Sequence, residues 1–332
     1  MSSRIVSTGS CLPKARLTNA ELEKRIDTTD EWIRARSGIR ERRVLEPDEA
    51  TSDLATGAAA AALESASLSP DDLDLIVVAT CTPDHSFPST ATLVQRNLSP
   101  NEPIPAFDVN AACAGFVYGL DLTSKLLQPQ GYQRILLIGA DALTPLTNYK
   151  DRGTCVLFGD GAGAVVLELD HEGAADSAER GLGASALCAD GTYHDLIIVP
   201  AGGTRRPMDA AVLEEEAHKV HMNGRQTFKL AVQSMDQVAR DCLARASWKL
   251  SDLDHVFVHQ ANERIIDAVV ERLEVAPDRV HRNIERTGNT SAASIPILLD
   301  EVNRAGQIQS GDRVLFLAFG SGLTWGAGAL VW

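Results

Sequence analysis

A cysteine, Cys113, sits where the extended run Asp108-Val-Asn-Ala-Ala gives way to the small-residue run Ala114-Gly-Phe-Val-Tyr-Gly-Leu120. A helix N-terminus can stabilise a thiolate and lower its pKa, so the position suits a nucleophile as well as a small buried hydrophobe. Two polar groups far downstream favour the nucleophile. His259 closes the apolar run Val256-Phe-Val, and Asn289 follows in Thr287-Gly-Asn289-Thr-Ser-Ala. Thiol, imidazole and amide together suit acyl transfer: Cys113 attacks a thioester and holds the acyl group while backbone N–H groups receive the oxyanion. His259 either takes the thiol proton or donates from Nε2 to a second thioester carbonyl as that carbonyl becomes enolate-like. Asn289 can donate to the same enolate without gaining or losing a proton.

Taken singly, each residue has a plainer reading. His259 could be a satisfied core histidine and Asn289 part of a turn or cap. Asn262, three residues beyond His259, reads as a helix cap or loop support. Gly159-Asp-Gly-Ala-Gly163 lacks the Lys-Ser/Thr of a phosphate loop and reads as a tight turn between core strands. No metal site is expected, because cysteine, histidine and asparagine form an incomplete ligand set without an acidic residue at metal spacing.

The elements that must carry these residues repeat along the chain. Ser69-Pro-Asp-Asp-Leu-Asp-Leu-Ile-Val-Val-Ala79 is echoed by Leu250-Ser-Asp-Leu-Asp-His-Val-Phe-Val-His259, and Arg134-Ile-Leu-Leu-Ile-Gly-Ala-Asp by Arg313-Val-Leu-Phe-Leu-Ala-Phe-Gly. A third echo joins Phe158-Gly-Asp-Gly-Ala-Gly-Ala-Val-Val-Leu to Phe319-Gly-Ser-Gly-Leu-Thr-Trp-Gly-Ala-Gly-Ala-Leu. Order is preserved, which points to internal duplication. Each half reads as helix, short apolar strand, polar loop, small-residue helix and two glycine-linked apolar strands. Such buried strands imply a mostly parallel sheet covered on both faces. His259 then lies at a strand's carboxyl end, where α/β sheets collect reactive groups, whereas its counterpart Ala79 is inert. Cys113 is expected to face it across the pseudo-twofold interface. The predicted organisation is an N-terminal half over 1–172, a connecting and substrate-covering segment over 173–222, and a C-terminal half over 223–332.

Composition narrows the partners. With 332 residues and 44% hydrophobic side chains the chain can bury a large core. A formal charge of −14 disfavours nucleic acid as a partner, while leaving room for a local basic patch. The six cysteines are scattered with no CxxC, as reduced thiols would be, and this argues for a cytoplasmic setting. The polar start does not read as a signal sequence, and no run of 18 apolar residues occurs, so neither a signal sequence nor membrane insertion is expected.

Taken together these stretches resemble beta-ketoacyl-[acyl-carrier-protein] synthase III, the initiating condensing enzymes of type II fatty-acid synthesis within the thiolase-like superfamily. The resemblance runs from end to end, through Thr28-Thr-Asp-Glu-Trp32-Ile-Arg-Ala-Arg36-Ser-Gly-Ile-Arg40, the Cys113 segment, Asp151-Arg152-Gly-Thr, His259-Gln-Ala-Asn262 and Gly288-Asn289-Thr-Ser-Ala-Ala-Ser. It implies an α/β thiolase-like duplicated fold, two pseudo-twofold halves forming five α-β-α-β-α layers. It also implies a homodimeric acyltransferase that condenses a short acyl-coenzyme A, acetyl by expectation, with malonyl-acyl carrier protein and needs no resident cofactor. An alternative is a related condensing enzyme of secondary metabolism with another starter.

By the same resemblance Cys113, His259 and Asn289 are catalytic, with Cys113 and Ser321 supplying oxyanion N–H groups. Trp32 and Arg152 would sandwich the coenzyme A adenine with Arg36 nearby, and Phe87 would belong to the acyl pocket near the dimer interface. Lys229, Arg264 and Arg272 would dock the carrier protein. The chain departs from the family pattern at Ser321, commonly glycine, and at Glu271, where basic residues are usual.

Overall fold

The computed structural model describes residues 3–170 and 180–332. In the first half, strands β1 (Ser3–Cys11), β2 (Leu75–Ala79), β3 (Ala106–Val109), β4 (Arg134–Ala142) and β5 (Asp160–Leu169) form one sheet in the order β1-β5-β4-β2-β3. All five residues of β2 are buried, as a continuous apolar run requires. In the second half β6 (Gly181–Ala189), β7 (His255–Val258), β8 (Arg313–Gly320) and β9 (Thr324–Val331) form a sheet in the order β7-β8-β9-β6. The two orders correspond strand for strand, β2 with β7, β4 with β8, β5 with β9 and β1 with β6. The counterpart of β3 has shrunk to a single parallel bridge between Val256 and Val280.

Both sheets are mixed, which corrects the expectation of mostly parallel ones. Strands β2, β3 and β4 run parallel, as do β7 and β8, but β5 and β9 return antiparallel. For β9 the cause is the connection. A parallel return needs a crossover of a dozen or more residues, whereas β8 reaches β9 through residues 321–323 alone. The corresponding link in the first half spans residues 143–159 and carries Arg152. Gly159–Gly163 is also not the predicted turn, since β5 begins at Asp160. Its glycines admit a helix instead: a Cβ on Gly163 would lie 2.5 Å from the backbone of Pro296 and Ile297.

Helices complete five layers. One outer layer, α1 (Thr51–Ser65) and α2 (Thr90–Leu98), covers the first sheet. Between the sheets lie α3 (Gly115–Leu126) and α6 (Ser294–Arg304), and the second sheet is covered by α4 (Gly224–Ala246) and α5 (Glu263–Leu273). An apolar cluster lies under each outer helix layer, and a third spans the central helices between the sheets, where Phe116 meets Phe316 edge to face at 6.2 Å. The expected division at 172/173 lies outside the described residues. Of the expected connecting segment, residues 181–189 form β6, an edge strand of the second sheet. No helix among the described residues is long and apolar enough to cross a membrane.

Candidate active site

Two matching turns bring the chemistry together at the centre. After β3, a 3-10 turn over Ala112–Ala114 leads into α3, and after Asn289 an equivalent turn over Ser291–Ala293 leads into α6. Ala112 and Ser291 both take positive φ, 45° and 51°, so each turn is sharply bent immediately before Cys113 and before its counterpart Ala292. The Ser291 hydroxyl donates to Cys113 Sγ at 3.4 Å, and Cys81 Sγ lies 3.8 Å from the same oxygen. Beneath them the fully buried Asp141, at the end of β4, accepts from Thr80 Oγ1 (3.0 Å), the Cys81 N–H (2.8 Å), Thr82 Oγ1 (2.9 Å) and the Ala292 N–H (3.1 Å). One carboxylate thus ties the end of the first sheet to the turn of the second half.

His259 follows β7 as its sequence position suggested, its N–H donating to Leu317 O at 2.7 Å. Burial pushes its pKa down to about 3, so the ring is neutral. Nδ1 lies 2.6 Å from Ser294 Oγ, and Nε2 has no hydrogen-bonding partner among the described residues. Asn289 is pinned through its backbone, donating to Leu157 O at 2.8 Å and accepting from the Gly159 N–H at 3.0 Å. Its side-chain oxygen accepts the Ser291 N–H at 2.9 Å. A backbone N–H can only donate, so the amide's orientation is settled and its NH2 end has no partner among the described residues.

Burial also raises the Cys113 thiol, to about 11; the Ser291 hydrogen bond pulls it down and nearby Asp141 pushes it up. This corrects the expectation that a helix N-terminus lowers it. Desolvation outweighs the turn's field, so the resting group is a thiol and its proton must leave as attack proceeds.

Cys113, His259 and Asn289 all line one cavity of about 580 Å³. Its wall is a stripe of α4, Gly224, Thr227, Phe228, Ala231 and Met235, spaced to share a helix face. The exposed residues around it include Arg36, Arg225 and Arg264 beside Trp32. Arg152 stacks on the Trp32 indole at 4.1 Å, with Arg36 at 5.8 Å, so a third planar group can enter that stack only by moving Arg152 aside. Gly320, not Ser321, lines the cavity, and a Cβ there would lie 2.6 Å from the Cys113 nitrogen. The Ser321 hydroxyl instead donates to Ile197 O at 2.5 Å, tying the β8–β9 turn to the covering segment.

Besides Ser321 and Arg152, which stacks on Trp32 without lining the cavity, three more expected residues stand apart from it. Phe87 is 86% exposed and does not line it. Lys229 is exposed on α4 away from the lining. Arg272 is engaged by Asp236 at 2.7 Å, a carboxylate that also holds Arg240 at 2.9 Å. Sequence reasoning missed Arg225, Asp141, Ser291 and Ser294. Arg225 was findable, lying one α-helical turn before Lys229, whereas the other three are recognisable only by what they touch.

Family models match two stretches of the chain. That of 3-Oxoacyl-[acyl-carrier-protein (ACP)] synthase III matches residues 107–191, and that of its C-terminal part matches residues 243–332. A beta-ketoacyl-[acyl-carrier-protein] synthase III of Caldanaerobacter subterraneus subsp. tengcongensis is 47% identical over 99% of this chain and 97% of its own. Beta-ketoacyl-[acyl-carrier-protein] synthase III 3 of Streptomyces coelicolor is 48% identical over 99% of this chain and 96% of its own. The crystal structure of 3-oxoacyl-[acyl-carrier-protein] synthase III from Aquifex aeolicus superposes with a TM-score of 0.89 at 42% identity, covering 99% of this chain and 100% of that one.

Proposed function

The chain belongs to the 3-oxoacyl-[acyl-carrier-protein] synthase III family, and from that premise we propose how its residues divide the work of an acyltransferase that makes carbon–carbon bonds. Its activity is that of the family, fatty-acid-type condensation on a thiolase-like scaffold. The observation that carries the reading is the convergence of a thiol and two oriented neutral groups, Cys113, His259 and Asn289, on one cavity.

Cys113 attacks the thioester of a short acyl-coenzyme A; its proton goes to the departing coenzyme A thiolate, and the acyl group stays on sulfur. Malonyl-acyl carrier protein then loses CO2, the electrons of the broken bond moving onto the thioester oxygen. His259 Nε2–H and the Asn289 NH2 donate to that oxygen, where a carboxylate would repel the charge. The carbanion attacks the Cys113 thioester, the N–H groups of Cys113 and Ser321 hold the tetrahedral oxyanion, and collapse expels the Cys113 thiolate, which regains a proton from solvent as 3-oxoacyl-acyl carrier protein is released. Coenzyme A enters as part of a substrate, and no resident cofactor is required. Trp32, Arg36 and Arg152 bind its adenine end, and acetyl is the proposed primer. Arg264 and Lys229 form the carrier-docking rim, while Arg272, engaged by Asp236, is a weaker member of it. The active form is a homodimer in which Phe87 reaches the partner's acyl pocket.

The test is product identity across a starter panel. With acetyl-coenzyme A and malonyl-acyl carrier protein, mass spectrometry is expected to detect the carbon–carbon bonded 3-oxoacyl product; release of free acid alone overturns the condensation. Preferential loading of aromatic or long acyl starters over acetyl and short branched ones removes the proposed primer and favours a specialised role.

A further inference from the structure

Ser294, the first residue of α6, closes the stretch Gly288–Ser294 with no role assigned to it from sequence, yet it touches the one side chain whose proton position decides the second half-reaction. Its hydroxyl oxygen is buried and has two polar neighbours, the Gln260 N–H at 3.3 Å and His259 Nδ1 at 2.6 Å. The first contact has only one polarity, because a backbone N–H must donate. The second can run either way. If Nδ1 carried the ring proton, two donors would aim at the hydroxyl and its own proton would have no acceptor among the described residues, leaving a buried donor unsatisfied. If the hydroxyl donates to Nδ1, the Gln260 N–H, the hydroxyl and Nδ1 all have partners, and the ring proton is left on Nε2 facing the cavity. Burial keeps the ring neutral, so one nitrogen alone is protonated and the choice is absolute.

We propose that Ser294 is a positioning residue that selects the Nε2–H tautomer of His259, making the imidazole a hydrogen-bond donor toward the cavity and withholding it as a base. The proposal deepens the reaction assigned above and rests on it for the consequence, though not for the tautomer. Rigid placement supports it: Gln260 is itself held, its Nε2–H donating to Val258 O at 2.7 Å and its side-chain oxygen accepting from the Asn283 N–H at 3.1 Å. The segment 289–294 therefore aligns both neutral donors, Ser291 through the Asn289 amide oxygen and Ser294 through His259 Nδ1. A ring held as Nε2–H cannot take the Cys113 proton, so thiol acylation and malonyl decarboxylation should respond differently to loss of the hydroxyl.

The experiment has two arms. Nitrogen-15 NMR of histidine-labelled protein, with the His259→Ala variant used for assignment, is expected to find His259 protonated at Nε2; protonation at Nδ1 overturns the proposal whatever reaction the protein catalyses. Ser294→Ala is expected to scramble the tautomer and slow malonyl decarboxylation by about tenfold to a hundredfold, approaching the cost of deleting an oxyanion donor. Labelling of Cys113 by acyl-coenzyme A should stay within about threefold of wild type, since it makes no demand on Nε2 as a base. Ser294→Thr, which keeps the hydroxyl, should restore decarboxylation. Equal loss of both half-reactions in a folded Ser294→Ala variant would reduce Ser294 to a packing role. Should that variant not fold, the wild-type tautomer decides alone.

Discussion

Cys113 keeps its proton at rest while Asn289 has a settled amide orientation, and these two facts separate the steps each residue can serve. In the proposed reaction thiol attack needs Cys113, whereas the Asn289 NH2 acts only where negative charge develops on a second thioester. Cys113→Ala is therefore expected to abolish labelling by acyl-coenzyme A. Asn289→Ala should still be labelled, with malonyl decarboxylation reduced by about a hundredfold to a thousandfold, the usual cost of one lost oxyanion donor. Measuring the two half-reactions separately checks this, and equal loss of labelling in both variants would defeat the division.

The rim of the cavity is built by element ends rather than by one motif. Arg225 comes from the first turn of α4, Arg264 from the first turn of α5, and Arg36 from the helix Asp30–Ser37. Each is exposed beside the same opening, so a positive rim exists on a chain whose net charge is −14. Such a rim steers an acidic partner and weakens with salt. Arg264→Glu is expected to raise KM for malonyl-acyl carrier protein several-fold and flatten its salt dependence, while leaving Cys113 labelling by acyl-coenzyme A nearly intact. Steady-state kinetics at several ionic strengths tests it. An equal defect with a small malonyl thioester would mean that the substitution damaged the site and not the docking.

At the scale of the whole molecule, the first sheet ends in β3, which has a neighbour on one side only. Phe107 on that strand is 37% exposed, and Phe87 is 86% exposed. An open strand edge with exposed aromatics is a natural pairing surface, and a twofold contact there would cover it. Sedimentation is expected to find a dimer at assay concentrations, and Phe87→Glu to shift it toward monomer with loss of condensing activity. A fully active wild-type monomer would remove both the dimer and the cross-subunit place of Phe87.

Much of this was legible in the chain. Apolar runs repeated in order located the sheet strands, because burial of a strand on both faces leaves a local signature. His259 could be assigned to a strand end, and Cys113 to a turn before a helix, since strand and helix periods change there. The tertiary structure alone decided the rest. The antiparallel return of β9 depends on how short its connection to β8 is. The loss of Arg272 to Asp236 depends on α4 lying beside α5. The raised Cys113 thiol and the lowered His259 depend on desolvation by residues distant in sequence, which no local pattern encodes. Ser294 is the sharpest case: an ordinary helix-start serine in sequence, it acquires meaning because folding places its hydroxyl between the Gln260 N–H and His259 Nδ1, where hydrogen-bond polarity leaves one consistent arrangement.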